Sequence, residues 1–101
     1  MFDIDWIKSK VRHNEEYFSK HAEDERQNDN LTISEVREAI LNGLILEQYE
    51  DTGRGDSCLV VGFTNDGKPI HIVCGERKDK VVIITVYIPS APKFKNPYQR
   101  G

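Results

Sequence analysis

The amino-acid sequence predicts an α+β domain in which N-terminal helices pack on a four-stranded antiparallel β-meander. Up to Gly43 the apolar residues recur at helical spacing, and beyond it they alternate, so the hydrophobic period falls from about 3.6 to about 2. Four runs rich in Val, Ile, Leu and Tyr then follow one another, separated by short polar turns. Helices come first and strands after, an order that segregates the two layers. The 101 residues are expected to form a single domain, helical over 1–43, antiparallel sheet over 44–89 and a basic tail over 90–101.

Ile4, Ile7 and Val11 lie at i, i+3 and i+7 with Trp6 beside them, behind Asp3 and Asp5 as caps, which predicts an amphipathic helix. His13-Asn14 interrupts it, and Tyr17-Phe18 forms a short apolar pair. Ser19 caps a second helix over 20–28 whose surface is almost wholly polar, so it should lie outside, pinned by Ala22. Asp29-Asn30 is a loop signal. Thr32 with Glu35 offers a capping box for a third helix, with Ser34 as an alternative cap, and Asn42-Gly43 closes it. The strand runs are 44–50, 58–64, 69–75 and 80–88. The segment 51–57, with Gly53, Arg54 and Gly55, must be a loop, and Pro89 and Pro92 end the sheet.

Asp66-Gly67 predicts a two-residue type I′ hairpin. In that register His71 faces Gly62, and Leu59, Val61 and Phe63 share a face with Ile70, Ile72 and Cys74. The next hairpin sets His71 opposite Thr85 if centred near Lys78, or opposite Tyr87 if centred one residue later. Either way Val82, Ile84, Val86 and Ile88 are expected on the apolar face. The other face then gathers Gly62, His71, Thr85 and Tyr87, with Gly62 leaving a hollow beside the imidazole. Two readings stay open: a functional site, or a hydrogen-bonded sheet histidine packing on Tyr87. The same register sends Cys58 and Cys74 to opposite faces, so both are expected as free thiols.

Composition narrows the function classes. Residues 1–51 carry 13 acidic and 6 basic side chains, and residues 52–101 carry 4 and 8, giving −7 and +4 within an overall −3. That acidity argues against a protein that coats nucleic acid non-specifically, while leaving room for a local basic site. No run approaches the roughly 18 apolar residues of a membrane span. The start lacks the basic and apolar regions of a secretory signal, and two unpaired cysteines fit a reducing compartment, so a cytoplasmic protein is expected. Arg54-Gly55-Asp56 reads as a turn and Asn30-Leu31-Thr32 as an unused sequon. His21 and Glu25 share a helix face, close enough to pair. No P-loop, GxGxxG, GxSxG, HExxH or CxxC occurs, so neither a cofactor nor a metal is expected.

Six segments, read together, carry a resemblance. They are Ser19-Lys20-His21-Ala22 with Arg26 downstream, then Ile33-Ser34-Glu35-Val36 with Ala39-Ile40, and Asn42-Gly43-Leu44-Ile45-Leu46-Glu47-Gln48-Tyr49. Ser57-Cys58-Leu59-Val60-Val61-Gly62, Gly67-Lys68-Pro69-Ile70-His71-Ile72-Val73 and Ile84-Thr85-Val86-Tyr87-Ile88-Pro89 complete the series. In order and spacing the chain resembles the domain of unknown function 4258 family over roughly residues 4–89. That family is grouped with the barnase, EndoU, colicin and RelE-like superfamily, and its members often resemble toxins encoded beside a zinc-finger or helix-turn-helix antitoxin. The resemblance implies a RelE/barnase-like fold and metal-independent RNA cleavage, in which the ribose 2′-OH attacks the adjacent phosphate. Such chemistry needs a base, an acid and a cation for the phosphorane. His71, Tyr87 and His21 are the implied proton carriers, and Arg26 and Thr85 the implied phosphate contacts. Implied partners are RNA and a cognate antitoxin protein. A non-catalytic, protein-binding domain of the same fold is the rival expectation. If the long apolar run 81–88 lay at a sheet edge, a partner or a homodimer would be needed to cover it.

Overall fold

The computed structural model describes residues 1–50, 53, 55–90 and 94–100. Three helices, α1 (Ile4–Arg12), α2 (Lys20–Asn28) and α3 (Ile33–Leu41), alternate early with a short strand, β1 (Glu16–Phe18). Then come β2 (Leu44–Tyr49), β3 (Ser57–Phe63), β4 (Pro69–Arg77) and β5 (Lys80–Tyr87). A two-stranded hairpin, β6 (Phe94–Asn96) and β7 (Gln99–Arg100), closes the described chain. Each helix starts on its expected cap: Asp3 accepts from the Asp5 amide, Ser19 from the Ala22 amide, and Thr32 exchanges bonds with Glu35 in a complete capping box. Among the described residues no helix is long and apolar enough to cross a membrane.

Glu35 does double duty, because its carboxylate also takes the Lys68 ammonium at 2.9 Å, tying α3 to the β3–β4 turn. The Thr32 amide and then Lys68 hold this carboxyl below its ordinary range. The unfolded chain therefore binds the proton more readily, so the stabilisation is present at neutral pH and is lost as the pH falls through the folded-state value. Chemical denaturation of Glu35→Gln should show a deficit at neutral pH that closes under acid. An equal deficit at every pH would refute the assignment.

The sheet runs β1-β5-β4-β3-β2. The four long strands form the expected antiparallel meander, but β1 adds to it in parallel beside β5, so the sheet is five-stranded and mixed rather than four-stranded and antiparallel. Three residues are too few to show a period, and tertiary contacts make this strand. The Val81 amide bonds to Glu15 and the Ser19 amide to Ile83. Glu16, its side chain 8% exposed, pairs with Arg37 of α3, which also donates to the Val11 carbonyl at 2.8 Å. Arg37→Met strands the buried Glu16 carboxylate and should cost about 3 kcal/mol in urea unfolding, and replacing both residues by Met should recover most of it. Equal losses in the single and double variants would show that the pair does not act as a unit.

The strand registers differ from the expectation at two places. Asn65, Asp66 and Gly67 form a three-residue loop, with Thr64 and Lys68 bonded across it and Gly67 at a φ of +87°. The shift of one residue sets His71 opposite Val61, and Gly62 opposite Ile70. Cys58, Val60, Gly62, Ile70, Ile72 and Cys74 therefore share the face toward the helices, and Leu59, Val61, Phe63, His71 and Val73 the outer face. In β5 a bulge at Ile84 separates the Thr85–Val73 pair from the Ile83–Cys74 pair. Val81, Ile83 and Val86 thus enter the core, whereas Ile84 and Ile88 do not. Lys78 and Asp79, both at positive φ, make a two-residue turn with Arg77 opposite Lys80, centred between the two expectations, and the bulge at Ile84 adds the residue that sets His71 opposite Tyr87.

Two further expectations change with the register. Cys58 and Cys74 lie directly opposite each other on one face, not on opposite faces, and both are free thiols. Burial raises both, Cys58 to about 12, so neither is an available thiolate at neutral pH. Strand β5 is no edge: past β1, α2 covers its backbone. Ser19 donates to the Ile84 carbonyl, while Glu25 and Asp29 accept from the Val86 and Ile88 amides. The polar surface that made α2 look merely solvated is the part that caps this strand.

Candidate active site

On the outer face of the sheet, His71 of β4 and Tyr87 of β5 stand side by side. Their rings are 5.2 Å apart, and Nδ1 lies 3.2 Å from the Tyr87 hydroxyl. His71 is fully buried, and its Nε2 lies 2.6 Å from the carbonyl oxygen of Pro97, in the turn of the β6–β7 hairpin. A carbonyl only accepts, so Nε2 carries the proton; in the neutral ring Nδ1 then accepts from the Tyr87 hydroxyl. The hairpin is seated further by Tyr98, whose ring packs on Phe63 at 6.0 Å. The 90–101 segment, expected only as a basic tail, thus lays its described part over the histidine.

Of the five residues expected at the site, the structure brings His71 and Tyr87 into contact. Thr85 lies two residues along on the same face, paired with Val73 and half-buried. His21 and Arg26 sit on α2, in the helical layer that caps the β5 edge. His21 is largely exposed and reaches Glu25 at 3.2 Å, the carboxylate that also takes the Val86 amide. Arg26 is engaged internally. It pairs with Glu23, donates to the Leu31 carbonyl at 3.0 Å, and lies over the Phe18 ring at 6.0 Å. Gly62 makes no hollow beside the imidazole, because it faces α3 instead.

The hollow of the outer face lies one step further along, at a place sequence reasoning missed. A row of directly paired residues, Tyr17, Val82, Gly75, Ser57 and Tyr49, crosses all five strands. Gly75 leaves its centre bare and a tyrosine stands at each end. The resulting trough, about 480 Å³, is lined also by Val73 and Arg77. Val73 is shared with the Thr85 pair, so the trough adjoins the row that holds His71 and Tyr87. Glu50 shares the lining with Arg77, so the apolar floor and aromatic ends suit a flat ring rather than a ligand of one charge. The signal was in the sequence as Tyr17, Gly75 and Tyr49. It needed β1 and the correct registers to be assembled.

Among the described residues no group of three His, Cys, Asp or Glu side chains is placed to hold a metal ion. Fold and site together define a small α+β domain with helices on one face of a mixed sheet and a histidine–tyrosine pair on the other. The chain belongs to the family described as Domain of unknown function (DUF4258), which matches residues 18–88. The match takes in α2, α3 and β2 to β5, and leaves α1 and the β6–β7 hairpin outside it. No curated protein and no solved structure matches the chain.

Proposed function

We propose that this chain is a metal-independent endoribonuclease, the cytoplasmic toxin of a bacterial toxin–antitoxin pair, with RNA bound on the outer sheet face as in a RelE/barnase-like enzyme. One observation carries the reading: a bonded imidazole–phenol pair stands on an otherwise largely apolar sheet, one row from a trough bounded by tyrosines. Tyr87 takes the proton of the ribose 2′-OH as that oxygen attacks the neighbouring phosphorus, passing its own hydroxyl proton to Nδ1 of His71. Nε2–H of His71 donates its proton to the 5′-oxygen that leaves, giving a 2′,3′-cyclic phosphate and a free 5′-hydroxyl. Thr85 orients the phosphate. Arg26 and His21, engaged on α2, take no proton-transfer step in this reading. The rival is a non-catalytic domain that binds a partner protein, and one observation favours it. With both nitrogens bonded and no exposure, His71 is also placed as a structural histidine would be. Inducible expression in a bacterial host separates the two. Growth arrest with mRNA decay is expected from wild type and not from His71→Ala, and no effect from either would favour the rival.

A further inference from the structure

The hairpin over His71 has the features of a bound ligand. Its Pro97 carbonyl oxygen occupies the one direction in which Nε2–H can donate, 2.6 Å away. Its Tyr98 ring stacks obliquely on Phe63, at 6.0 Å and 46°, as a nucleobase would on an aromatic platform. Tyr98 itself is 48% exposed, so one of its sides has no protein cover. The hairpin comprises only two strands of three and two residues, a pairing too small to be stable by itself. It also lies beyond residue 88, where the family match ends. An oxygen acceptor on the imidazole and a ring on Phe63, which pairs with Pro69 two residues before that histidine, are the two contacts a nucleotide would make here.

We propose that the β6–β7 hairpin is an intramolecular competitor of the substrate. In this arrangement the Pro97 carbonyl holds the place of an RNA oxygen on His71, and the Tyr98 ring the place of a base on Phe63. The inference rests on the RNA reading above. RNA binds only molecules whose hairpin has lifted, so its apparent affinity is lowered by the fraction that is closed. The cover also keeps the imidazole from water and from RNA until a single strand displaces it.

The full-length chain tests this with Tyr98→Ala, which weakens the hairpin's seat, and Tyr98→Phe, which keeps the ring. Two readouts are needed: solvent exchange of the His71 Nε2 proton by NMR, and binding of a 2′-O-methyl decaribonucleotide, which cannot be cleaved. In wild type the proton should be protected. Tyr98→Ala should expose it and tighten binding about tenfold, while Tyr98→Phe leaves both as in wild type. The oligonucleotide should also expose the proton in wild type as it binds. A proton equally protected in Tyr98→Ala overturns the proposal, as does an exposed proton with unchanged affinity, which leaves RNA binding itself standing. An exposed proton with no binding by any form overturns the RNA reading and the competition together.

Discussion

Gly62→Ala is expected to leave the chain unable to fold stably. A Cβ at this position would overlap the Ala39 carbonyl oxygen and come within 2.6 Å of its carbonyl carbon. Both are backbone atoms in the last turn of α3, and they cannot rotate away as a side-chain end would. Relief requires moving α3 off β3, and with it the packing of Val36, Ala39 and Ile40, all fully buried. Overpacking typically costs about 1–3 kcal/mol, and a backbone clash at the centre of the helix–sheet contact should exceed that, at about 4 kcal/mol or more. That is a large share of a small domain's total stability. Circular dichroism with urea titration measures it. A midpoint within experimental error of wild type would show that α3 does not sit on Gly62 as described.

His71→Ala should act on rate and stability by separate amounts. Cleavage should fall by about 10²–10⁴, the usual worth of a group that transfers a proton in the transition state. Folding stability should fall by about 1–3 kcal/mol, because the Pro97 carbonyl and the Tyr87 hydroxyl both lose a buried partner. Tyr87→Phe provides the comparison, since it removes one hydroxyl and keeps the ring beside the imidazole. If His71 serves structure alone, both variants lose stability and RNA is cut by none of the forms. If it serves chemistry, His71→Ala loses rate out of proportion to its loss of stability at a temperature where it is fully folded.

The helices were legible in the sequence because caps and periods agreed: Asp3, Ser19 and Thr32 all start the helices they were expected to start. The order and type of the four long strands were legible for the same reason. Their registers were not. β3 is apolar at Leu59, Val60 and Val61 in succession and buried on both sides, so alternation cannot choose between a two-residue and a three-residue turn. That one-residue shift turned Gly62 from a supposed hollow into a helix contact, and put Cys58 and Cys74 face to face. The bulge at Ile84 flips one half of β5 relative to the other, and the unbroken apolar run 81–84 before it carries no alternation that could register the flip. β1 was illegible because its three residues owe their strand geometry to β5 and to the Glu16–Arg37 pair. The pairing of His71 with Tyr87 survived the shift in β3 because it depends on β4 and β5 alone, where the turn falls between the two expected centrings and the Ile84 bulge supplies the remaining residue. The cover from Pro97 and Tyr98 has no periodic signature and shows only in three dimensions.

The most direct test of RNA cleavage at the His71–Tyr87 pair is the end chemistry left by purified protein on a labelled single-stranded RNA in the presence of EDTA. Comparison of wild type with the His71→Ala, Tyr87→Phe double variant makes the test specific to this site. The expected result is fragments ending in 2′,3′-cyclic phosphate from wild type, and at least about a hundredfold less from the double variant. Equal cleavage by both, or none by wild type at any salt concentration, alone or with ribosomes, would contradict it.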